Sequence, residues 1–235
     1  MKRMLESLTV FIAIVAAAKL ASMMTISEQL LSPVWLPAAV CLSALIWMGN
    51  RALPAIAVAT GFLGWVVARD DGGHAFGSMA ATLVIIGTAA GATLQALAGR
   101  YLIQRFINRD VEIESANQFF RLLLIAPLAG LVSPLVGVTV QYLKGVWPHG
   151  SYWLYVANWW FVNFTSIAFL TPLLLGLRRG SSSQSTAITI FVIAGLVVSY
   201  KLGVSAERLA RDTWIAQARD SATQLTGIFV RALQN

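Results

Sequence analysis

Apolar runs of roughly membrane-spanning length, separated by short polar breaks, set the pattern of this chain. A spanning helix needs about 20 predominantly apolar residues. Seven segments approach or meet that length: 8–24, 31–48, 52–67, 78–99, 119–143, 152–177 and 187–202. Periodicity adds little, because helices buried in a membrane bundle are apolar all round; length and flanking charge decide. The predicted fold class is an all-α integral membrane protein, a bundle of about seven transmembrane helices followed by a C-terminal extramembrane helix. Splitting 119–143 at its prolines would give eight spans, at the expense of placing Arg178 and Arg179 on the outer side.

Two polar stretches interrupt this pattern. Between the fourth and fifth spans, Arg105, Arg109, Asp110, Glu112 and Glu114 mix with Phe106, Ile107 and Ile113, as in a cytoplasmic connector with an interfacial helix. After the seventh span, charged residues become frequent, while Ile215, Ala218, Ala222, Leu225, Phe229 and Ala232 recur at spacings of three and four. That stripe predicts a helix able to pair in a homodimer. The domain reading is a membrane domain over 1–202 and an extracytoplasmic helical stalk over 203–235.

Composition agrees with the pattern. Only 11% of residues are charged and 57% are hydrophobic, against about 25% charged in soluble domains. The net charge of +7 does not imply a nucleic-acid partner, because the arginines sit at the ends of apolar runs, where topology signals lie. Lys2, Arg3, Arg51, Arg100, Arg105, Arg109, Arg121, Arg178 and Arg179 fall on one side; Arg69 and Lys144 are the main cations opposite. That asymmetry predicts a cytoplasmic N-terminus and, with seven spans, an extracytoplasmic C-terminus. Lys2 and Arg3 before an apolar run also fit a signal peptide. The run continues past Lys19 and Leu20 to Met24 without a clear cleavage boundary, so the first helix is expected to be retained.

Chemistry is sparse. The lone Cys41 rules out a disulfide framework, and the two histidines both fall in loops, so no metal or other cofactor is expected. Asp70, Asp71 and His74 in a glycine-rich turn read as a solvated loop. No Ser–His pair, HExxH motif or pair of intramembrane carboxylates points to an enzyme.

What stands out is polarity inside the sixth span, Trp153 to Pro172, where Asn158, Asn163, Thr165 and Ser166 lie among tryptophans. Such groups are costly in hydrocarbon unless they face protein or water. Asn163 and Ser166, three apart, share a helix face with Trp159 and Trp160 just above. The candidate ligand-lining residues are Trp35, Gln95, Asn158, Trp160 and Asn163, with packing between helices as the competing reading. Trp35 lies in Ser32-Pro33-Val34-Trp35-Leu36-Pro37 and fits the interfacial aromatic belt; a broken helix start that opens backbone groups to a ligand is the alternative. Helix packing is assigned to Gly87 and Gly91, a GxxxG pair, and to Pro127, Gly130 and Pro134 in a small-residue seam.

These residues together resemble a known family. Val34-Trp35-Leu36-Pro37-Ala38 is similar to the opening signature of the type-one membrane-associated sensor domains. Thr93-Leu94-Gln95-Ala96-Leu97, followed by Tyr101-Leu102-Ile103-Gln104-Arg105, looks like their middle helix. Trp159-Trp160 and Thr171-Pro172-Leu173-Leu174 look like their late signature. The likeness spans about residues 8–202. Two departures stand out: Gln95 replaces a usual acidic residue, and Asn163 and Ser166 replace an Asp and a Gly three residues apart. The amides keep a hydrogen-bonding shape and lose the charge. From Val204 the chain also resembles the start of a CHASE-type extracellular region. The resemblance implies a non-catalytic input module of bacterial histidine kinases or diguanylate cyclases in the bacterial inner membrane, active in two-component or cyclic di-GMP signalling, with its output domain outside these residues. Its expected partners are the lipid bilayer and a stimulus, either a small molecule or another membrane protein. A small-solute transporter or substrate-binding membrane subunit is the alternative, since proline-broken helices and inward amides suit solute binding.

Overall fold

The computed structural model describes residues 2–24, 34–70, 79–107, 115–143 and 152–177, with Ile215 and Arg219. The chain divides into two compact units, Met1–Ile193 and Ala194–Asn235, and the fold below is that of the first. The seventh predicted span, 187–202, lies outside the described residues, as does the predicted stalk, 203–235, apart from Ile215 and Arg219.

Every described element is helical: α1 (Lys2–Met23), α2 (Leu36–Met48), a short 3-10 turn (Gly49–Ala52), α3 (Leu53–Asp70), α4 (Met79–Phe106), α5 (Ala116–Leu143), α6 (Tyr152–Thr165), a π turn (Ser166–Leu170) and α7 (Thr171–Leu177). Five stretches among them are long and apolar enough to cross a membrane. The second, Leu36–Arg69, is broken by the 3-10 turn, where Gly49 takes φ +63°. A residue with a Cβ resists that conformation, so glycine sits where α2 ends and the chain turns into α3.

Local sequence explains the other boundaries. α2 begins with a proline in its first turn, where a missing N–H costs nothing. α5 begins at a reciprocal cap: the Gln118 amide donates to Ser115 Oγ (3.3 Å) and the Ser115 amide to Gln118 Oε1 (3.1 Å). This capping box extends α5 outward from the predicted start at 119. α4 likewise continues past the predicted end at 99, through Phe106. No proline follows Gly99, and Arg100 and Arg105 can carry their charges to the membrane surface on long apolar stems. Pro127 and Pro134 lie inside α5, which stays one helix from end to end; the eight-span division at these prolines therefore falls.

From α3 to α6, successive helices run in opposite directions. Gly61 and Gly64 of α3 lie against Ala89, Ile85 and Thr88 of α4, while Asn50, just before α3, accepts a hydrogen bond from Arg100 Nη1 (3.1 Å). α3 and α4 are therefore antiparallel. The same end of the bundle holds Arg121, whose Nη1 donates to the Phe106 carbonyl (3.2 Å). One core gathers Leu42 of α2, Ile103 of α4, Leu122, Ala126 and Ala129 of α5, and Ile167 and Ala168 of the π turn. A second joins Ile14 of α1 to Leu45 of α2 and Ile56 and Ala59 of α3. Leu124 and Leu128 of α5 stand 76% and 60% exposed. Exposed leucines at successive turns suit hydrocarbon rather than water, and the protein is a multi-pass helical membrane protein.

Without a hydrophobic force between helices, close packing must hold the bundle. At Gly130 of α5, an added Cβ would come within 3.0 Å of the Phe164 backbone nitrogen. At Gly61 it would meet only ordinary contacts at 3.6 Å. Gly130→Ala is expected to destabilise the purified protein by about 1–3 kcal/mol, the range for overpacking. Gly61→Ala should be neutral or slightly stabilising, since alanine favours a helix by up to about 1 kcal/mol. Thermal melts of both variants in detergent check the pair; the reverse order would contradict this packing.

Candidate functional site

The sixth span places its polar residues by a break in helix geometry. α6 runs to Thr165, widens into the π turn over Ser166–Leu170, and resumes as α7 at Thr171. Pro172 lies just beyond that break. Its ring offers no N–H to the carbonyl four residues earlier and crowds it, so a wider turn sits where the clash would fall. π turns inside α-helices recur at functional sites. Asn163 is eleven residues into α6, about 17 Å along the axis, near the middle of a hydrocarbon core about 30 Å thick.

α5 closes one side of this region. Gly130 abuts Phe164 and Asn163, and Gly137 lies under the Trp159 ring, whose nearest atom would stand 3.2 Å from an added Cβ. Trp160 Nε1 donates to the Pro127 carbonyl (2.8 Å), and its ring stacks on Phe164 at 6.0 Å with a 17° interplanar angle. α2 docks through its start. The Trp35 amide donates to the Val162 carbonyl (3.2 Å), which also accepts the Thr165 hydroxyl (3.1 Å). The Trp35 side chain is half-buried against the Leu42–Ile167 core. The irregular start of α2 thus gives its free backbone donor to a neighbouring helix.

Between these contacts lies a set of polar atoms with no protein partner. Asn163 is 1% exposed, and Ser166 and Thr171 are 0% exposed; Asn163 Nδ2, Ser166 Oγ and Thr171 Oγ1 make no hydrogen bond. Ser43 Oγ, on the helix packed beside the π turn and α7, is also buried and unpartnered. Each such atom costs roughly 1–3 kcal/mol when nothing satisfies it, and buried polar atoms normally find a partner in protein or ordered water. This α6–α7 face can offer an amide donor and hydroxyls of either sense to a small polar molecule or to water. Among the described residues, no charged side chain is part of it.

The sequence-derived candidates separate into three positions. Trp35, Trp160 and Asn163 come together where α2, α5 and α6 meet. Gln95, 4% exposed, instead reaches α5, where its Oε1 accepts the Ser133 amide (3.3 Å). Asn158 is half-buried and, five residues before Asn163, points about 140° away around the helix. Among the packing residues, Gly87 lies against Val140, Gly91 against the Ser133 carbonyl and Gly130 against α6, while Pro127 supplies the carbonyl that Trp160 bonds. Ser43, Ser166 and Thr171 were not among the predicted lining residues, although Ser166 was placed on the Asn163 face. The available signal for Ser43 is that it is the one hydroxyl in α2. Among the described residues no three of His, Cys, Asp and Glu cluster as metal ligands; His74 and His149 lie outside them.

Comparison with known families decides the class. The family model of MASE1 matches residues 4–216. The chain belongs to the MASE1 family. MASE1 is a membrane-associated sensor domain found in signalling proteins, a sensory input domain rather than a catalytic one. The match reaches past Val204, so the first residues of the region resembling a CHASE-type domain fall within the MASE1 model itself. Searches of the curated proteins and of the solved structures find no match.

The Trp160 bond offers a clean test of how this MASE1 bundle is held. Trp160→Phe keeps a ring on Phe164 and removes the hydrogen bond to Pro127. It is expected to cost about 0.6–1.5 kcal/mol, read as a lower melting temperature in detergent. An unchanged melt would mean that the indole donor adds nothing to α5–α6 docking.

Proposed function

We propose that this MASE1 chain is the non-catalytic input module of a bacterial receptor, of the kind that drives a histidine kinase or a diguanylate cyclase. It reads a small polar stimulus at the Asn163 face. The observation that carries this reading is the group of fully buried, unpartnered polar atoms beside a π turn, near mid-membrane depth. A bundle built only for packing would gain by replacing them with apolar groups. Binding there would alter the π turn, and with it the Trp35–Val162 link to α2, giving two arrangements of the bundle that a stimulus can bias.

In this reading the protein lies in the inner membrane with its N-terminus cytoplasmic. A seventh span over 187–202 carries the shift to an extracytoplasmic helix that pairs with a second copy. The gathering of Asn50, Arg100, Phe106 and Arg121 at one end of the bundle supports that orientation, because cationic loops face the cytoplasm.

A thermal-shift screen of the purified chain against amino acids, organic acids and sugars tests the reading. A ligand should raise the melting temperature of the unaltered protein and leave Asn163→Ala unmoved. The unliganded variant should itself melt at or above the temperature of the parent, since it no longer buries the unpartnered Nδ2. A ligand that stabilises both equally, or one that the protein carries into liposomes, would overturn the sensor reading.

A further inference from the structure

A second feature lies on the outward surface of α3 and α4. A groove of about 740 Å³ runs between them, lined by Ala57, Gly61 and Trp65 of α3 and by Ile86, Ala90 and Leu94 of α4. Ala57, Gly61 and Ala90 keep its floor low, while exposed Ile86 and Leu94 form part of its wall. This face is turned towards hydrocarbon, so its occupant comes from the membrane. One end is marked by charge. Arg69, exposed in the last turn of α3, holds its guanidinium 5.8 Å from the Trp65 ring centroid. Arginine and tryptophan together are the side chains that sit at the headgroup level.

Depth and charge together choose the occupant. From Ala57 to Arg69 is twelve residues, about 18 Å of helix axis, against a hydrocarbon core about 30 Å thick. The groove with its cation therefore covers little more than one leaflet. A partner helix would match the apolar walls but leave the cation at the mouth unused. A lipid needs what is present: an apolar channel one leaflet deep, with a cation at its mouth. The guanidinium suits a phosphate, which it can bond in bidentate fashion.

We propose that the α3–α4 groove is a binding site for one anionic phospholipid, with an acyl chain along Ala57, Gly61 and Ala90 and its headgroup phosphate on Arg69. The site is independent of the Asn163 face and does not rest on the sensor reading. Selectivity for an anionic over a zwitterionic lipid comes from Arg69, because both lipids offer the same acyl chain.

Native mass spectrometry of the full chain tests this, with phosphatidylglycerol and phosphatidylcholine of identical chains supplied to the detergent-purified protein. The unaltered chain should retain phosphatidylglycerol about fivefold better, the factor one interfacial arginine contributes. Arg69→Gln should bring the two lipids level. Ala90→Phe, which fills the channel, should reduce retention of both. Equal retention by the unaltered chain would overturn the proposal whether or not either variant folds. So would a preference that survives Arg69→Gln, or a dimer that Ala90→Phe dissociates, which would give the groove to a second copy.

Discussion

The bundle depends on the approach of α5 to α6 at Gly130. Backbone meets backbone there, because a hydrogen stands where any other residue would carry a Cβ. Several features follow from that contact. Trp159 can lie over Gly137, and Trp160 can reach the Pro127 carbonyl only because the axes are this close. With Gly130 of α5 against the Asn163–Phe164 backbone, Asn163 is buried and its Nδ2 has no protein partner. In hydrocarbon the helices gain nothing from hiding apolar surface from one another. Close approach and interhelical hydrogen bonds must supply the cohesion, and Gly130, with Gly137 further along α5, permits both here.

The π turn adds a second constraint of a different kind. A regular helix satisfies its own backbone and leaves neighbours little to bond. In this span, Val162 carries an interhelical bond from Trp35 immediately before the widened turn, and Pro172 follows immediately after it. One helix thus contains a docking point, a widened turn and a regular resumption. In the proposed function, a stimulus at the widened turn changes the angle between what lies above and what lies below it. The rest of the membrane unit, with its larger apolar cores, supplies the frame around it.

Much of this was legible before the structure. Apolar run length located the helices, because in a bilayer length is the physical requirement. The three-residue spacing of Asn163 and Ser166 placed them on one face, because helix geometry leaves no alternative. The family resemblance rested on ordered motifs, and the MASE1 match bears it out. Other features had no local signal. Nothing in Gly99 or Arg100 marks that α4 continues to Phe106. The cap on α5 was written in Ser115 and Gln118 but lay beneath a run of charges that read as connector. Pro172 hinted at irregularity without saying whether the helix would kink, break or widen. The long-range bonds from Trp35 to Val162 and from Gln95 to Ser133 depend on which helices are neighbours, and spacing along the chain cannot convey that. Trp35 is the instructive case: its side chain read as an interfacial anchor, while its backbone does the joining.

In the proposed function, the Asn163 face is left unsatisfied by the protein so that something else can satisfy it. A density map of the chain in a lipid nanodisc, at a resolution that shows ordered waters, tests this most directly. The expected result is non-protein density within hydrogen-bonding distance of Asn163 Nδ2 and of the Ser166 or Thr171 hydroxyl, bounded by the π turn and α2. An Asn163 amide rotated onto a protein carbonyl, with the face dry and closed, would contradict the account and return this span to packing alone.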